Sequence, residues 1–276
     1  MQKILLSALL ASVALPAFAA DLPVKAPYVA PVYSDWTGFY LGIHGGYGWA
    51  NAKVDDFDLN GGFASALRLN QPKLKGWVFG GQAGYNWQWS NWVGGLELDY
   101  SAADLTESQS RSQHLVGTIN TIPATVDTTR TLSAKLDALA SARARLGFLL
   151  TPSFLLYGTA GMAWGHTKAD ANDTIRVTEV DLTQTDIINT RSGTNHWGWV
   201  AGGGGEFAVF GAGSGWRLRA EFLHYDFGRS TMAFSGREAD THATPAGTTT
   251  LINSLSTNID ARLTTNVVRA GLSYKF

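Results

Sequence analysis

The sequence predicts an all-β chain: an eight-stranded, antiparallel, up-and-down transmembrane β-barrel with four long extracellular loops and short periplasmic turns. Three observations predict it. Residues 263–276 alternate, with Val268, Ala270, Leu272, Tyr274 and Phe276 in one row and Arg269, Gly271, Ser273 and Lys275 in the other. That period of two gives a strand one lipid-compatible face. The chain opens on an export signal, and no later stretch is long and apolar enough to cross a bilayer as a helix. Finally, connections are long after the first, third, fifth and seventh alternating segments and short after the second, fourth and sixth. Outer-membrane barrels pair strands in this way.

In chain order, Met1-Gln2-Lys3 is a positive n-region, 4–15 an apolar core, and Ala17-Phe18-Ala19 a small-x-small cleavage site. Residues 1–19 therefore read as a removed signal peptide. Residues 20–35 carry Pro23, Pro27 and Pro31, a density that favours an extended periplasmic leader. The barrel is assigned to 36–276.

The first strand, 36–49, places Phe39, Leu41, Ile43, Tyr47 and Trp49 outward and Tyr40, Gly42, His44, Gly46 and Gly48 inward. A polar loop with Asp55, Asp56 and Asp58 follows. The second strand, 77–89, repeats the dyad most cleanly, with Trp77, Phe79, Tyr85, Trp87 and Trp89 outward and Gln82 and Asn86 inward. Ser90-Asn91 is a tight turn into 92–100, whose Leu96, Leu98 and Tyr100 face out and Glu97 and Asp99 face in. After a polar stretch, 102–130, the fourth strand spans 131–148. Leu132, Ala134, Leu136 and Ala138 are expected outward, and Lys135, Asp137, Arg143 and Arg145 inward. Its alanines would also permit a helix; strict alternation and the Leu150-Thr151-Pro152-Ser153 turn favour a strand. The fifth strand is 154–165 and the sixth 196–209, with Glu206 inward. A glycine-rich turn, 211–215, leads to the seventh, 216–227, with Arg217, Arg219, Glu221 and Tyr225 inward, and 259–276 is the eighth.

Composition agrees. Hydrophobic residues make up 45% of the 276, with 31 Gly and 10 Trp, yet mean hydropathy is only −0.03. The absence of cysteine excludes disulfides and thiolate metal sites, and a net charge of −1 gives no footprint for nucleic acid.

Several segments carry a family likeness: Ala20-Asp21-Leu22-Pro23, Trp36-Thr37-Gly38-Phe39-Tyr40-Leu41-Gly42, Gly80-Gly81-Gln82-Ala83-Gly84-Tyr85-Asn86-Trp87, Arg143-Ala144-Arg145-Leu146-Gly147, Leu156-Tyr157-Gly158-Thr159-Ala160-Gly161 and Tyr274-Lys275-Phe276. With them the chain resembles the small porin-like outer-membrane proteins of alphaproteobacteria, OmpA-like eight-stranded barrels that are often immunogenic and include hemin-binding relatives. The likeness covers the strands and lapses in the loops. It implies residence in the outer membrane of a Gram-negative bacterium, among lipid and lipopolysaccharide. It also implies assembly by the barrel-assembly machinery, with Tyr274 and Phe276 as the recognition signal.

For function the residues leave four readings. In the first, a structural barrel supports the envelope and displays its loops, its lumen plugged by Glu97, Asp99, Glu206 and Glu221 against Arg143, Arg145, Arg217, Arg219 and Arg269. Buried charges are costly unless paired, and eight strands leave an interior that side chains fill. In the second, the same residues constrict a small-solute porin. In the third, the long loops bind a host factor, or a ligand such as hemin through His114, His166 or His242, although loop histidines are commonly just solvated. The fourth, an enzyme, finds no nucleophile motif, so no catalytic residue, cofactor or metal is assigned. A soluble lipocalin-like barrel is the fold alternative; it would turn the aromatic rows inward.

Overall fold

The computed structural model describes residues 35–54, 71–119, 121–210 and 213–276. The signal peptide, nearly all of the proline-rich leader, and Asp55, Asp56 and Asp58 lie outside the described residues. The strands are β1 Gly38–Val54, β2 Lys73–Trp89, β3 Trp92–Ile119, β4 Ile122–Thr151, β5 Phe154–Thr178, β6 Thr183–Ala208, β7 Trp216–Thr244 and β8 Gly247–Lys275. Each pairs antiparallel with the next, and β1 pairs with β8 to close the barrel. The eight-stranded up-and-down topology is the one the alternation predicts.

The strands run much farther than the apolar rows. β4 has 30 residues. At roughly 3.3 Å per residue that is on the order of 100 Å of strand, several times the ~25 Å apolar band of an outer-membrane barrel. The polar stretches 102–130, 166–194 and 228–258 are thus outer halves of the same strands, paired as hairpins almost to their tips: Ile119 faces Ile122, Thr178 faces Thr183, and Thr244 faces Gly247. They read as loops because their outward rows are polar, although inward residues such as Leu105, Ala169 and Phe234 are buried. On the outer face of the β3–β4 hairpin, hydroxyl pairs Ser108–Ser133, Ser110–Thr131 and Ser112–Thr129 each lie 3.0 Å apart, a cross-strand ladder suited to water.

Near the short turns the outward rows are apolar and ringed by aromatics. Trp92 packs on Phe148 (5.2 Å between centroids), Trp216 on Tyr274 (5.1 Å) and Tyr274 on Phe276 (5.3 Å). A second ring, including Tyr47 against Trp77 (5.5 Å) and exposed Trp197, marks the other edge. Two such girdles bounding an apolar band are the outer signature of a membrane barrel.

One in/out assignment is corrected. Leu136 is fully buried in the lumen, and Lys135 and Asp137 face outward, where Lys135 pairs with Asp104 (2.7 Å) and Asp137 with Lys168 (2.8 Å). The cause is a pair of register shifts. Between Ala102 and Leu105, β3 advances three residues while β4 advances two, and Asp137 is the extra residue of β4 against β5. A bulge reverses the parity of everything beyond it. Leu132, Ala134 and Leu136 therefore turn inward, while Ala138 keeps its expected face.

β7 is interrupted in a similar way. The Asp226 carboxylate accepts from the Gly228 N–H (2.8 Å) and from Arg262 (2.7 Å). Gly228 takes φ +64°, a conformation that side-chain-bearing residues resist. Past this bulge the β6–β7 ladder lapses: pairing runs to Trp199–Asp226 and resumes only at Arg191–Ser235.

Candidate functional site in the barrel lumen

The lumen is filled in layers. Next to the short turns, Trp36, Val93, Leu149, Leu155 and Tyr157 form an apolar floor. Toward the hairpin end, Val78, Leu105, Leu136, Leu139, Val200, Leu223, Tyr225 and Val267 form a second apolar layer. Between them lie the charges.

Alternation and register place the charges. Glu97 and Asp99 share the inward row of β3, Arg143 and Arg145 that of β4, and Glu97 sits directly opposite Arg143. Glu221 on β7 sits opposite Arg269 on β8. Across the lumen these pairs merge into one network. Glu97 is bonded to Arg143 and to Arg219 (2.7 Å). Glu206 accepts from Arg145 (2.7 Å) and Arg219 (3.3 Å). Glu221 accepts from Arg269 (2.7 Å) and lies 3.5 Å from Arg143. Asp99 accepts from Arg269 (2.6 Å) and from the Ser141 hydroxyl. Four carboxylates thus meet four guanidinium groups, all nearly inaccessible to solvent. At such depth a carboxylate or guanidinium is tolerated only when its charge and hydrogen bonds are met nearby.

Arg217, expected in this cluster, stands apart. It is one inward position nearer the short turns than Arg219, its guanidinium over the Trp36 ring at 4.5 Å and within 3.3 Å of the Trp216 carbonyl. Alternation assigns a face but not a layer.

Two tyrosines complete the network that the charges alone did not reveal. Tyr40 donates to Glu97 (2.6 Å) and accepts from Arg145 (3.2 Å). Tyr157 donates to Glu221 (2.9 Å) beneath the Arg145 guanidinium, which lies 4.2 Å from its ring. Their signal in sequence was a phenol in an inward row level with the acids. A Cβ on Gly84 would run into the Tyr40 hydroxyl, so the glycine row makes room for it. His44 bonds within the lumen to Gln82 and to Ser101 (2.8 Å) and lies 3.1 Å from Arg269. Every strand contributes a side chain to this assembly.

The three histidines named as hemin candidates occupy different strands, and each is engaged by an aspartate. His114 bonds to Asp127 (2.5 Å), His166 to Asp137 (2.6 Å) and His242 to Asp240 (3.1 Å). Among the described residues no cluster of three or more His, Asp or Glu side chains is arranged to hold a metal ion.

Near the β6–β7 tip, Asp186 faces Asp240 directly. Burial and the hydrogen bond and charge of Asp240 raise the Asp186 pKa. The folded state therefore holds this proton more tightly than the unfolded chain. The pair's contribution to stability is full at low pH and is lost as pH rises through the folded value. Asp186→Asn, which mimics the protonated acid, is expected to slow hydrogen exchange of the Thr185 and Thr241 amides at neutral pH. Unchanged or faster exchange would count against this pairing.

Comparison with known proteins places this architecture. The family model for the outer membrane protein beta-barrel domain matches residues 5–276. A 31 kDa outer-membrane immunogenic protein of Brucella melitensis biotype 1 is 30% identical over 286 residues, covering 100% of both chains. A 25 kDa outer-membrane immunogenic protein of Brucella abortus biovar 1 is 27% identical over 99% of this chain and 97% of its own. Among solved structures, the outer membrane protein OprG from Pseudomonas aeruginosa aligns at 12% identity with a TM-score of 0.42, over 88% of this chain and 98% of its own.

Proposed function

The chain belongs to the outer-membrane protein β-barrel family, with alphaproteobacterial immunogenic outer-membrane proteins among its relatives, and on that premise we propose that it is a closed structural barrel. In this reading it contributes to envelope integrity and displays rigid hairpins at the cell surface, and it neither conducts solutes nor catalyses a reaction. The observation that carries the reading is the neutral network of four acids and four arginines between two apolar layers. Wide aqueous channels belong to barrels of roughly 16 strands. Here the lumen at the level of Glu97 is occupied by its own side chains.

The test is conductance in a planar bilayer. The wild-type barrel is expected to show no steady current above that of the protein-free membrane. A stable, ohmic current would replace the plug with the porin reading. Surface binding of hemin through the hairpins has less support, because the three histidines sit on separate strands with aspartate partners.

We further propose that Tyr274 and Phe276 serve as the assembly signal. The Phe276 N–H donates to the Phe39 carbonyl (2.9 Å), and Lys275 reaches the Asp35 carbonyl (2.8 Å), so this end is also stitched to the seam. Deleting Phe276 is expected to reduce outer-membrane insertion severalfold while leaving export intact. Full levels of heat-modifiable barrel would remove the signal role. Normal unfolding of the same deletion refolded in vitro would separate recognition from stability.

A further inference from the structure

Above the second apolar layer, on the hairpin side, the lumen holds a cavity of about 70 Å³ with an almost wholly apolar wall. Its sides include Ala169 from β5, Phe234 from β7, and Ala261 and Leu263 from β8. A void forfeits dispersion contacts, so an apolar group that fills it gains them.

Two observations say what kind. The first is His196, 3% exposed, on the cavity wall. Its Nε2 is 2.7 Å from the Thr167 hydroxyl, and its Nδ1 has no partner. A buried polar atom left unmet costs free energy, and here it offers one hydrogen bond in an otherwise greasy space. The second is the β6–β7 seam. Residues 192–198 of β6 and 227–234 of β7 form no ladder with each other, and this stretch contributes His196 from one strand and Phe234 from the other. Exposed Trp197, of the girdle at the outer edge of the apolar band, lies on the same stretch. This side of the wall, at and beyond the girdle, is therefore the least tied by backbone hydrogen bonds.

We propose that this cavity binds a free, short single-chain amphiphile: a few methylenes with one hydrogen-bonding head group, such as a short-chain fatty acid, met by His196. The volume admits a few methylenes and excludes a macrocycle; for scale, a cavity of about 150 Å³ in another protein core accepts benzene. The second apolar layer closes the floor, so this is a site for holding a ligand.

The experiment uses the barrel refolded into dimyristoylphosphatidylcholine bilayers and titrated with butanoic acid carrying carbon-13 at its carboxyl. Saturable, protein-dependent broadening of the carboxyl resonance is expected, reversed by excess unlabelled acid. Ala169→Phe fills the cavity and is expected to weaken binding tenfold or more. His196→Phe keeps the wall apolar and removes the hydrogen bond, for a loss of up to about tenfold. If Ala169→Phe yields no heat-modifiable barrel, Ala261→Ile on the opposite wall takes its place. No saturable signal above protein-free vesicles, or unchanged affinity in a folded cavity-filling variant, overturns the proposal. Native mass spectrometry separates the sources. A phospholipid co-released with the wild type but not with the filled variant would assign the cavity to an acyl chain of the surrounding bilayer and overturn the free-amphiphile assignment.

Discussion

Glu97→Ala is expected to lower barrel stability by about 3–5 kcal/mol, the cost of stranding buried charge. Glu97 is bonded to Arg143, Arg219 and Tyr40, with Arg145 a further 3.8 Å away, and both it and Arg143 are almost fully buried. Removing it leaves three carboxylates against four guanidinium groups. The companion change Arg143→Ala restores the count. The double variant is therefore expected to be less destabilised than the sum of the two single changes, with a coupling of a few kcal/mol. The measurement is urea unfolding in bilayers, followed by tryptophan fluorescence. The single variant is also expected to pass more current than the wild type, because the unpaired arginines are free to hydrate. Additive effects and unchanged current would mean that the network neither stabilises nor plugs.

The second large effect is on the lipid face. Leu272 points outward from β8, opposite Ile43 of β1 and Leu218 of β7, both well exposed. Leu272→Arg is expected to cost about 2–4 kcal/mol near the bilayer midplane. Ser110 also faces outward, but from the hairpin beyond the apolar band; Ser110→Arg is expected within about 1 kcal/mol of the wild type. Unfolding in bilayers measures both. Equal costs at the two positions would mean that the band is not where the girdles put it.

The membrane half of the barrel was legible in sequence because one solvent is lipid. Rows such as Phe39, Leu41 and Ile43 against Tyr40, Gly42 and His44 mark the two faces without ambiguity. Beyond the band the outer solvent is water, so the outward rows turn polar and strands such as 102–119, rich in Ser and Gln, look like loops. The height of Glu97 and Arg143 above their turns was enough to pair them, since the ladder between is regular. The bulge at Asp137 was not legible. Leu132, Ala134, Leu136 and Ala138 alternate unbroken through it, and the parity change comes from register with β3 and β5 rather than from any local residue. β7 is different, for Gly228 does mark its bulge.

The order in which the wall forms has a consequence for its charges. Neighbouring strands from β2 to β8 are joined by turns, so their pairing is local in the chain. The β1–β8 seam joins Tyr40 to Lys275 and must await the last strand. Bringing such distant segments together is the slow, entropically expensive step of a β topology. Arg269 rides on β8, while Tyr40 and His44 ride on β1. Until the seam closes, Arg269 has its local partner Glu221 on β7, while Asp99 on β3 lacks its arginine at 2.6 Å. Closing the seam and pairing the last carboxylate are one event, so a half-zipped sheet is penalised twice, at its open edge and at the unmet charge of Asp99.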